Sequence, residues 1–149
     1  MKKIVAVASV GGHWVQLLRI AKPLSERYEV VYMSTRTECK KMVSGSFFDI
    51  VDFNRRNLWR IVPNIFRILK VLVKEKPAAI ISTGAAPGLL VIILGRLLGI
   101  NTIWIDSIAN VTCLSACGRV AKVVAKHMYT QWPDLSNERI HYSGNVLGD

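Results

Sequence analysis

Ile4-Val5-Ala6-Val7-Ala8-Ser9-Val10-Gly11-Gly12-His13-Trp14 is the stretch that decides the fold. A run of valine and alanine stops at two glycines. A helical pattern then starts at Trp14, Leu17, Leu18 and Ala21. That order predicts strand, tight turn, helix. The glycines let the backbone turn sharply and come close to a ligand. A helix start just after them presents free N–H groups and the positive end of its dipole, which suits a phosphate. His13 at that point can donate to a phosphate or take a proton from a hydroxyl. A plain strand-to-helix turn with an exposed histidine fits the same triplet, so spacing alone leaves both readings open.

Strand-like and helix-like segments alternate through the rest of the chain. Strands are expected at 3–8, 29–34, 47–52, 78–82, 101–105, 126–131 and 140–143. Helices are expected at 13–24, 37–43, 58–74, 87–98 and 115–124. This alternation predicts an α/β fold, a Rossmann-like parallel sheet with helices on both faces. Ligands of such sheets bind beyond the carboxyl ends of the strands. Those ends carry Gly11-Gly12-His13, Thr83-Gly84-Ala85 and Asp106-Ser107. With no repeat or linker in view, residues 1–149 read as one domain.

Composition points to an anionic, partly apolar partner. Twenty Lys and Arg against 10 Asp and Glu give a net charge of +10, and 51% of the residues are hydrophobic. The mean hydropathy is +0.30. Such a balance favours acidic lipid headgroups or nucleic acid. Three cysteines with no paired spacing argue against a disulfide framework or a zinc site, and suggest a reducing compartment. No signal peptide or spanning helix is expected: residues 87–100 are apolar but short, and Arg96 interrupts them. No cluster of His, Cys and carboxylates has metal-ligand spacing, so no metal is assigned.

Residues 58–74 combine two patterns. Trp59, Val62, Phe66, Leu69 and Val73 recur at helical spacing, and so do Arg60, Arg67, Lys70 and Lys74. A basic amphipathic helix of this kind can lie in a bilayer interface, with Trp59, Arg60, Phe66, Arg67, Lys70 and Lys74 as the contacts. It can equally be a crossover helix with that apolar stripe on the sheet. Ile61, Ile65, Ile68, Val71 and Leu72 lie off the stripe, however, and leave more apolar surface than one packed face needs. Pro63 is expected in the first turn or at a kink.

Three stretches carry a resemblance. They are 9–13, 82–88 with Gly95-Arg96-Leu97-Leu98-Gly99 after it, and Ile105-Asp106-Ser107-Ile108-Ala109 leading to Leu114-Ser115 and Gly118-Arg119. In this order, with Gln131-Trp132 beyond, they resemble the PssD-type bacterial polysaccharide biosynthesis proteins. That group is similar to the membrane-anchored acceptor-binding subunit of the two-part N-acetylglucosaminyltransferase of dolichol-linked oligosaccharide synthesis. The resemblance implies a domain equivalent to the N-terminal lobe of a GT-B glycosyltransferase. Such a half binds a polyprenyl-diphosphate-linked sugar and recruits a separate subunit resembling the C-terminal half, which holds the UDP-sugar. The setting implied is exopolysaccharide or capsule synthesis, peripheral on the cytoplasmic face of the membrane, with no cofactor on this chain.

Carried onto this sequence, the resemblance places Gly11, Gly12 and His13 at the acceptor diphosphate or reaction centre. Thr83, Gly84 and Ala85 form a second acceptor-side turn. Asp106-Ser107 stands where the family pattern often has Glu-Ser, which keeps the carboxylate and shortens its reach. His13 is the expected base of an inverting transfer, or a ligand of the diphosphate. His127 and His141 read as structural or surface residues. The sequence lacks a complete GxGxxG or GxxxxGK[ST] fingerprint, in keeping with a half that holds no nucleotide. Two other classes share these features: a self-sufficient small α/β enzyme and a basic nucleic-acid-binding domain. Turnover without a second protein marks the first, and salt-sensitive duplex binding without vesicle binding marks the second.

Overall fold

A computed structural model describes residues 1–148. Its sheet has seven parallel strands: β1 (Lys3–Ala8), β2 (Glu29–Ser34), β3 (Phe47–Asp49), β4 (Ala79–Gly84), β5 (Asn101–Ile105), β6 (His127–Thr130) and β7 (His141–Tyr142). Their spatial order is β3-β2-β1-β4-β5-β6-β7. The chain runs outward from β1 to β3, then returns and grows in the other direction from β4. The direction reverses between β1 and β4, and a crevice opens at the carboxyl ends of strands at such a point. Four helices connect the strands: α1 (Gly12–Leu24), α2 (Ile61–Glu75), α3 (Ala86–Leu97) and α4 (Ala116–Val124). The expected Rossmann-like parallel architecture is the observed one.

Alternation along the central strands divides the core. Ile4, Ala6 and Ala8 of β1 pack with Trp14, Leu17 and Ala21 of α1 on one face of the sheet. Val5 and Val7 face the other way, toward Ile68, Val71 and Leu72 of α2, Val91 and Ile92 of α3 and Ala121 of α4. Helices thus cover both faces, with α1 alone on its side of β1. Glu75, buried at the end of α2, is neutralised by Lys3, whose ammonium lies 2.8 Å from its carboxylate. That bond raises the Lys3 pKa, against desolvation.

Three elements differ from the sequence expectation for identifiable reasons. Residues 37–42 wind as a 3-10 helix. The third strand stops at Asp49 rather than 52. The cause is Asn64 of α2, which is fully buried. Its Oδ1 accepts from the Val51 N–H at 2.8 Å, and its Nδ2 donates to the Val51 carbonyl at 2.5 Å. A side-chain amide takes the bonds that a neighbouring strand would take. The fourth strand runs on to Gly84 rather than ending at 82, through a register shift opposite Val7 and Ala8.

Of the two readings of α2, the structure removes the crossover helix with the Trp59–Val73 stripe on the sheet. Of the stripe Trp59, Val62, Phe66, Leu69 and Val73, Leu69 packs against the core and the other four are exposed. Trp59 is 69% exposed and Phe66 is 71% exposed. The residues off that stripe, Ile68, Val71 and Leu72, fill the core instead. The helix starts at Ile61, after a short 3-10 turn at Leu58–Arg60, and Pro63 sits in its first turn.

Urea unfolding checks which face is structural. Ile68→Ala should lower stability by about 2–5 kcal/mol, because Ile68 is fully enclosed. Phe66→Ala should stay within about 0.5 kcal/mol of the unaltered chain. The reverse ranking would mean that the helix packs on its other face.

Candidate functional site

Parallel strands put every carboxyl end on one rim, and the β1–α1 turn lies at its centre. Gly11 takes φ of +99° before the first turn of α1, a conformation that disfavours side chains. Neither Gly11 nor Gly12 would bring an added Cβ within 4 Å of another atom, so the turn faces open space. No side chain caps the start of α1 or of α3. By contrast, Ser115 caps α4, its Oγ accepting from the Gly118 N–H at 2.8 Å. The two uncapped starts are stitched together: the Ser9 N–H donates to the Gly84 carbonyl at 2.9 Å, and the Ala85 N–H donates to Ser9 Oγ at 3.2 Å. Two helix starts on adjoining turns therefore offer partial positive charge to one region.

His13 is fastened from below. Thr83 is skipped in the β1–β4 register, where Val7 pairs with Ser82 and Ala8 with Gly84. Its carbonyl is thus spared from the ladder with β1 and lies 2.9 Å from His13 Nδ1. Irregularities of this kind re-aim groups near sites. The Thr83 hydroxyl donates in turn to the His13 carbonyl at 2.6 Å. A carbonyl oxygen has no proton, so Nδ1 must carry the hydrogen of this bond. Neutral His13 then has its lone pair on Nε2, which makes no hydrogen bond to the described residues. Gly84, at φ +123°, lies so close that a Cβ would sit 2.6 Å from Nδ1. The backbone and the ring together require glycine there.

A buried polar network joins α1 to the other strand ends. Gln16, one turn beyond His13, donates to Ser107 Oγ at 3.2 Å and accepts from the Ile108 N–H at 3.0 Å. Gln131 donates to Gln16 Oε1 at 2.7 Å and to the Asp106 carbonyl at 2.9 Å. Its own Oε1 accepts from the Val146 N–H at 3.0 Å. Sequence reading passed over Gln16 and named Gln131 only within the resemblance, without a role. Gln16 lies off the helical stripe of Trp14, Leu17 and Ala21, so periodicity gave no signal for its burial. Trp132 donates its indole N–H to the Ile108 carbonyl at 2.7 Å and so ties the same loop.

The three expected turns do meet on this rim, but their residues divide by exposure. Gly11 and Gly12 are open to solvent, and His13 and Ala85 are half-buried. Thr83, Gly84 and Ser107 are buried. Asp106, expected at the substrate, has 1% of its surface exposed. Its Oδ1 accepts from Trp104 Nε1 at 3.1 Å and Ser115 Oγ at 2.6 Å. Its Oδ2 accepts from the Ser115 N–H at 3.0 Å and Asn110 Nδ2 at 3.4 Å. The carboxylate is spent on shaping the loop that follows β5. Burial, with Asp106 beside it, raises the pKa of the Cys117 thiol against the opposing charge of Arg55. Among the described residues, no cluster of three or more His, Cys, Asp or Glu is placed to hold a metal ion.

The basic helix leaves the same rim on the opposite face from α1. Arg60 lies 5.3 Å from the Trp59 ring centre and donates to the Asp52 carbonyl at 3.4 Å. Arg67 lies 3.4 Å from Asp49, and Lys74 sits 5.9 Å from the Phe48 ring centre. Arg67, Lys70 and Lys74 border a groove of about 450 Å³ between α2 and β3. The exposed apolar stripe therefore has its cations along the β3 side. No described helix is long and apolar enough to cross a membrane.

Comparison with known proteins places this geometry. No family model matches the chain. Over 96 residues it is 31% identical to the UDP-N-acetylglucosamine–N-acetylmuramyl-(pentapeptide) pyrophosphoryl-undecaprenol N-acetylglucosamine transferase of Rickettsia akari, covering 58% of this chain and 25% of that one. Acinetobacter baumannii MurG superposes with a TM-score of 0.82 at 17% identity, over 98% of this chain and 46% of that one. UDP-N-acetylglucosamine 2-epimerase from Rickettsia bellii gives a TM-score of 0.76 at 14% identity, over 99% and 46%. The chain thus spans a quarter of the curated relative and about half of each solved chain. Its fold is that of a GT-B N-terminal-like domain.

Two measurements test the Asp106 arrangement. Asp106→Ala should cost roughly 2–4 kcal/mol, since the Trp104 and Ser115 donors lose a charged acceptor. A chain of unchanged stability would remove Asp106 from its structural task. Iodoacetamide followed by mass spectrometry at pH 8 should label exposed Cys113 well before Cys117, because the thiolate is the reacting form. Equal rates would contradict the raised Cys117 pKa.

Proposed function

We propose that this chain is the acceptor-binding, membrane-associating half of a divided sugar transferase. The observation that carries the reading is the uncapped Gly11–Gly12 turn with His13 held so that its Nε2 lone pair is unengaged. The named relative transfers N-acetylglucosamine to a pyrophosphoryl-undecaprenol intermediate, and its similarity supports the same class of substrate here. The acceptor is then a polyprenyl-diphosphate-linked sugar. Its diphosphate lies against the starts of α1 and α3, where backbone N–H groups and helix dipoles meet its charge. The nucleotide sugar, a UDP-sugar in this reading, is carried by a second subunit resembling the C-terminal half of a GT-B enzyme. Exopolysaccharide or capsule assembly is the setting that the sequence resemblance supplies.

In the transfer, the acceptor hydroxyl oxygen forms a bond to the anomeric carbon of the donor sugar. The bond from that carbon to the nucleotide diphosphate breaks, and UDP leaves with the electron pair. His13 Nε2 takes the hydroxyl proton, while the Thr83 carbonyl holds the Nδ1 hydrogen and steadies the imidazolium. Gly84 and Ala85 form the wall beside the ring. Thr83, Asp106 and Ser107 act through position, since their side chains are enclosed. The outward stripe of α2 is the membrane contact: Trp59, Val62 and Phe66 enter the interface, and Arg60, Arg67, Lys70 and Lys74 meet anionic headgroups. This holds the chain at the cytoplasmic membrane face, where a lipid-linked acceptor and a cytoplasmic nucleotide sugar meet.

Co-expression with a donor-side subunit, purification from membranes and assay of sugar transfer test the reading. His13→Ala should lower turnover at least about 100-fold while the two chains still co-purify. Undiminished turnover would take His13 out of the mechanism. Transfer by the isolated chain would establish the self-sufficient enzyme instead.

Vesicle sedimentation tests the attachment separately. Arg67→Glu with Lys70→Glu should weaken binding to phosphatidylglycerol vesicles about tenfold or more, as each nearby cation contributes on the order of 1 kcal/mol. Salt should weaken the unaltered chain in the same direction. Binding that ignores both charge reversal and salt would exclude α2 as the contact.

A further inference from the structure

A second groove, about 480 Å³ in volume, lies on the α1 face of the sheet. Its apolar lining is Val15 and Leu18 of α1 and Met42 and Val43 of the segment before β3, with the Tyr32 ring at one side. Arg19 and Lys22 of α1 stand at its border, and no acidic residue lines it. Met42 is 57% exposed and Val15 nearly half exposed, so neither is used by the core. Val15, Arg19 and Lys22 recur at helical spacing on one outward stripe of α1. The stripe begins one residue after Trp14, immediately below the open Gly11–His13 turn.

We propose that this groove takes the hydrocarbon chain of the same amphiphile whose diphosphate sits at the Gly11–His13 turn, which rests on the reading given above. Continuity assigns the occupant. A ligand with an anionic head at the start of α1 and an apolar tail has the groove directly along the helix. The tail buries Val15, Leu18, Met42 and Val43, while Lys22 and Arg19, which donates to the Val146 carbonyl at 3.0 Å, keep the border of the groove cationic further along α1. The volume falls in the range of small-molecule sites, which are mostly apolar with a few placed charges. The phenol of Tyr32, its pKa raised by burial, stays neutral beside the tail. The consequence is specificity: the chain selects its acceptor partly by the lipid, through the isoprenoid units next to the diphosphate, as well as by the sugar.

Isothermal titration with inorganic diphosphate and with farnesyl diphosphate, below its micelle concentration, reads this directly. The unaltered chain should bind farnesyl diphosphate about tenfold or more tightly than inorganic diphosphate, as burial of even a few methylenes gives that factor. Met42→Glu and the uncharged Val15→Gln should abolish the gain and leave inorganic diphosphate binding unchanged. Both side chains are exposed, so the fold should be kept, which circular dichroism of each variant checks. Diphosphate binding without any gain from the chain would overturn the groove and leave the acceptor reading standing. Failure of both ligands to bind would overturn the acceptor reading itself. A gain that survives both substitutions would place the tail elsewhere. Loss of vesicle binding in Met42→Glu with farnesyl affinity intact would make the surface a bilayer contact, and likewise overturn the proposal.

Discussion

Two hydrogen bonds between His13 and Thr83 hold the centre of this molecule in its working shape. One runs from the imidazole to a carbonyl, the other from a hydroxyl to the histidine's own carbonyl. Both depend on the skipped position in the β1–β4 register, which turns Thr83 away from β1. They also depend on Gly84, where any side chain would occupy the space of the ring. The reciprocal arrangement does two things at once. It fixes the start of α1 beside the crevice between β1 and β4, and it selects the tautomer whose lone pair is on Nε2. A histidine placed by one loose contact would do neither. The glutamine network behind it has the matching task of holding the rest of α1 to β5 and β6.

Helix α2 shows how one amphipathic pattern can be divided between two demands. Its core residues are aliphatic and branched, as a tightly packed crossover needs. Its aromatic residues point outward, where burial by the protein's own core is absent. A helix with apolar groups on opposite sides exposes large hydrophobic side chains, and scattered ones need no explanation. Trp59, Val62, Phe66 and Val73 are not scattered. They share one stripe, and the cations flank it on one side only. That asymmetry gives the surface a direction, with the β3 edge as its basic margin.

Much of the fold was legible in the sequence because the strongest signals are local. Valine and alanine runs ended by glycine located β1 and the first turn, and the Glu29–Ser34 strand was bounded correctly from its own composition. The order of the strands was not legible. Nothing in 101–105 or 127–130 says which neighbour each will take, so the crevice between β1 and β4 emerges only in the structure. The end of β3 was missed because the competing partner was a side chain 13 residues away, Asn64. At the site, Gly11, Gly12 and His13 were visible as a motif, but the roles of Thr83 and Asp106 depended on facing. Period-two and helical patterns say which residues share a face, and packing decides which face is inside. The same ambiguity left two readings of α2 open in the sequence, and only the packing shows which stripe lies on the sheet.

The net charge of +10 acquires meaning from where it lies relative to that edge. Arg67, Lys70 and Lys74 border a groove on one face of the β2–β3 margin, and Arg19 and Lys22 border another on the opposite face. Both grooves have apolar floors. A nucleic-acid surface places its cations along a wettable track for phosphates, with base contacts beside it. Here the cations are interleaved with exposed aliphatic and aromatic side chains that a phosphate track does not use. Amphiphiles join an anionic head to an apolar tail, and that pairing matches both grooves. On the function proposed above, the charge, the outward aromatic residues of α2 and the open turn at His13 are parts of one arrangement, in which a lipid surface would be met from the side and its headgroup at the rim.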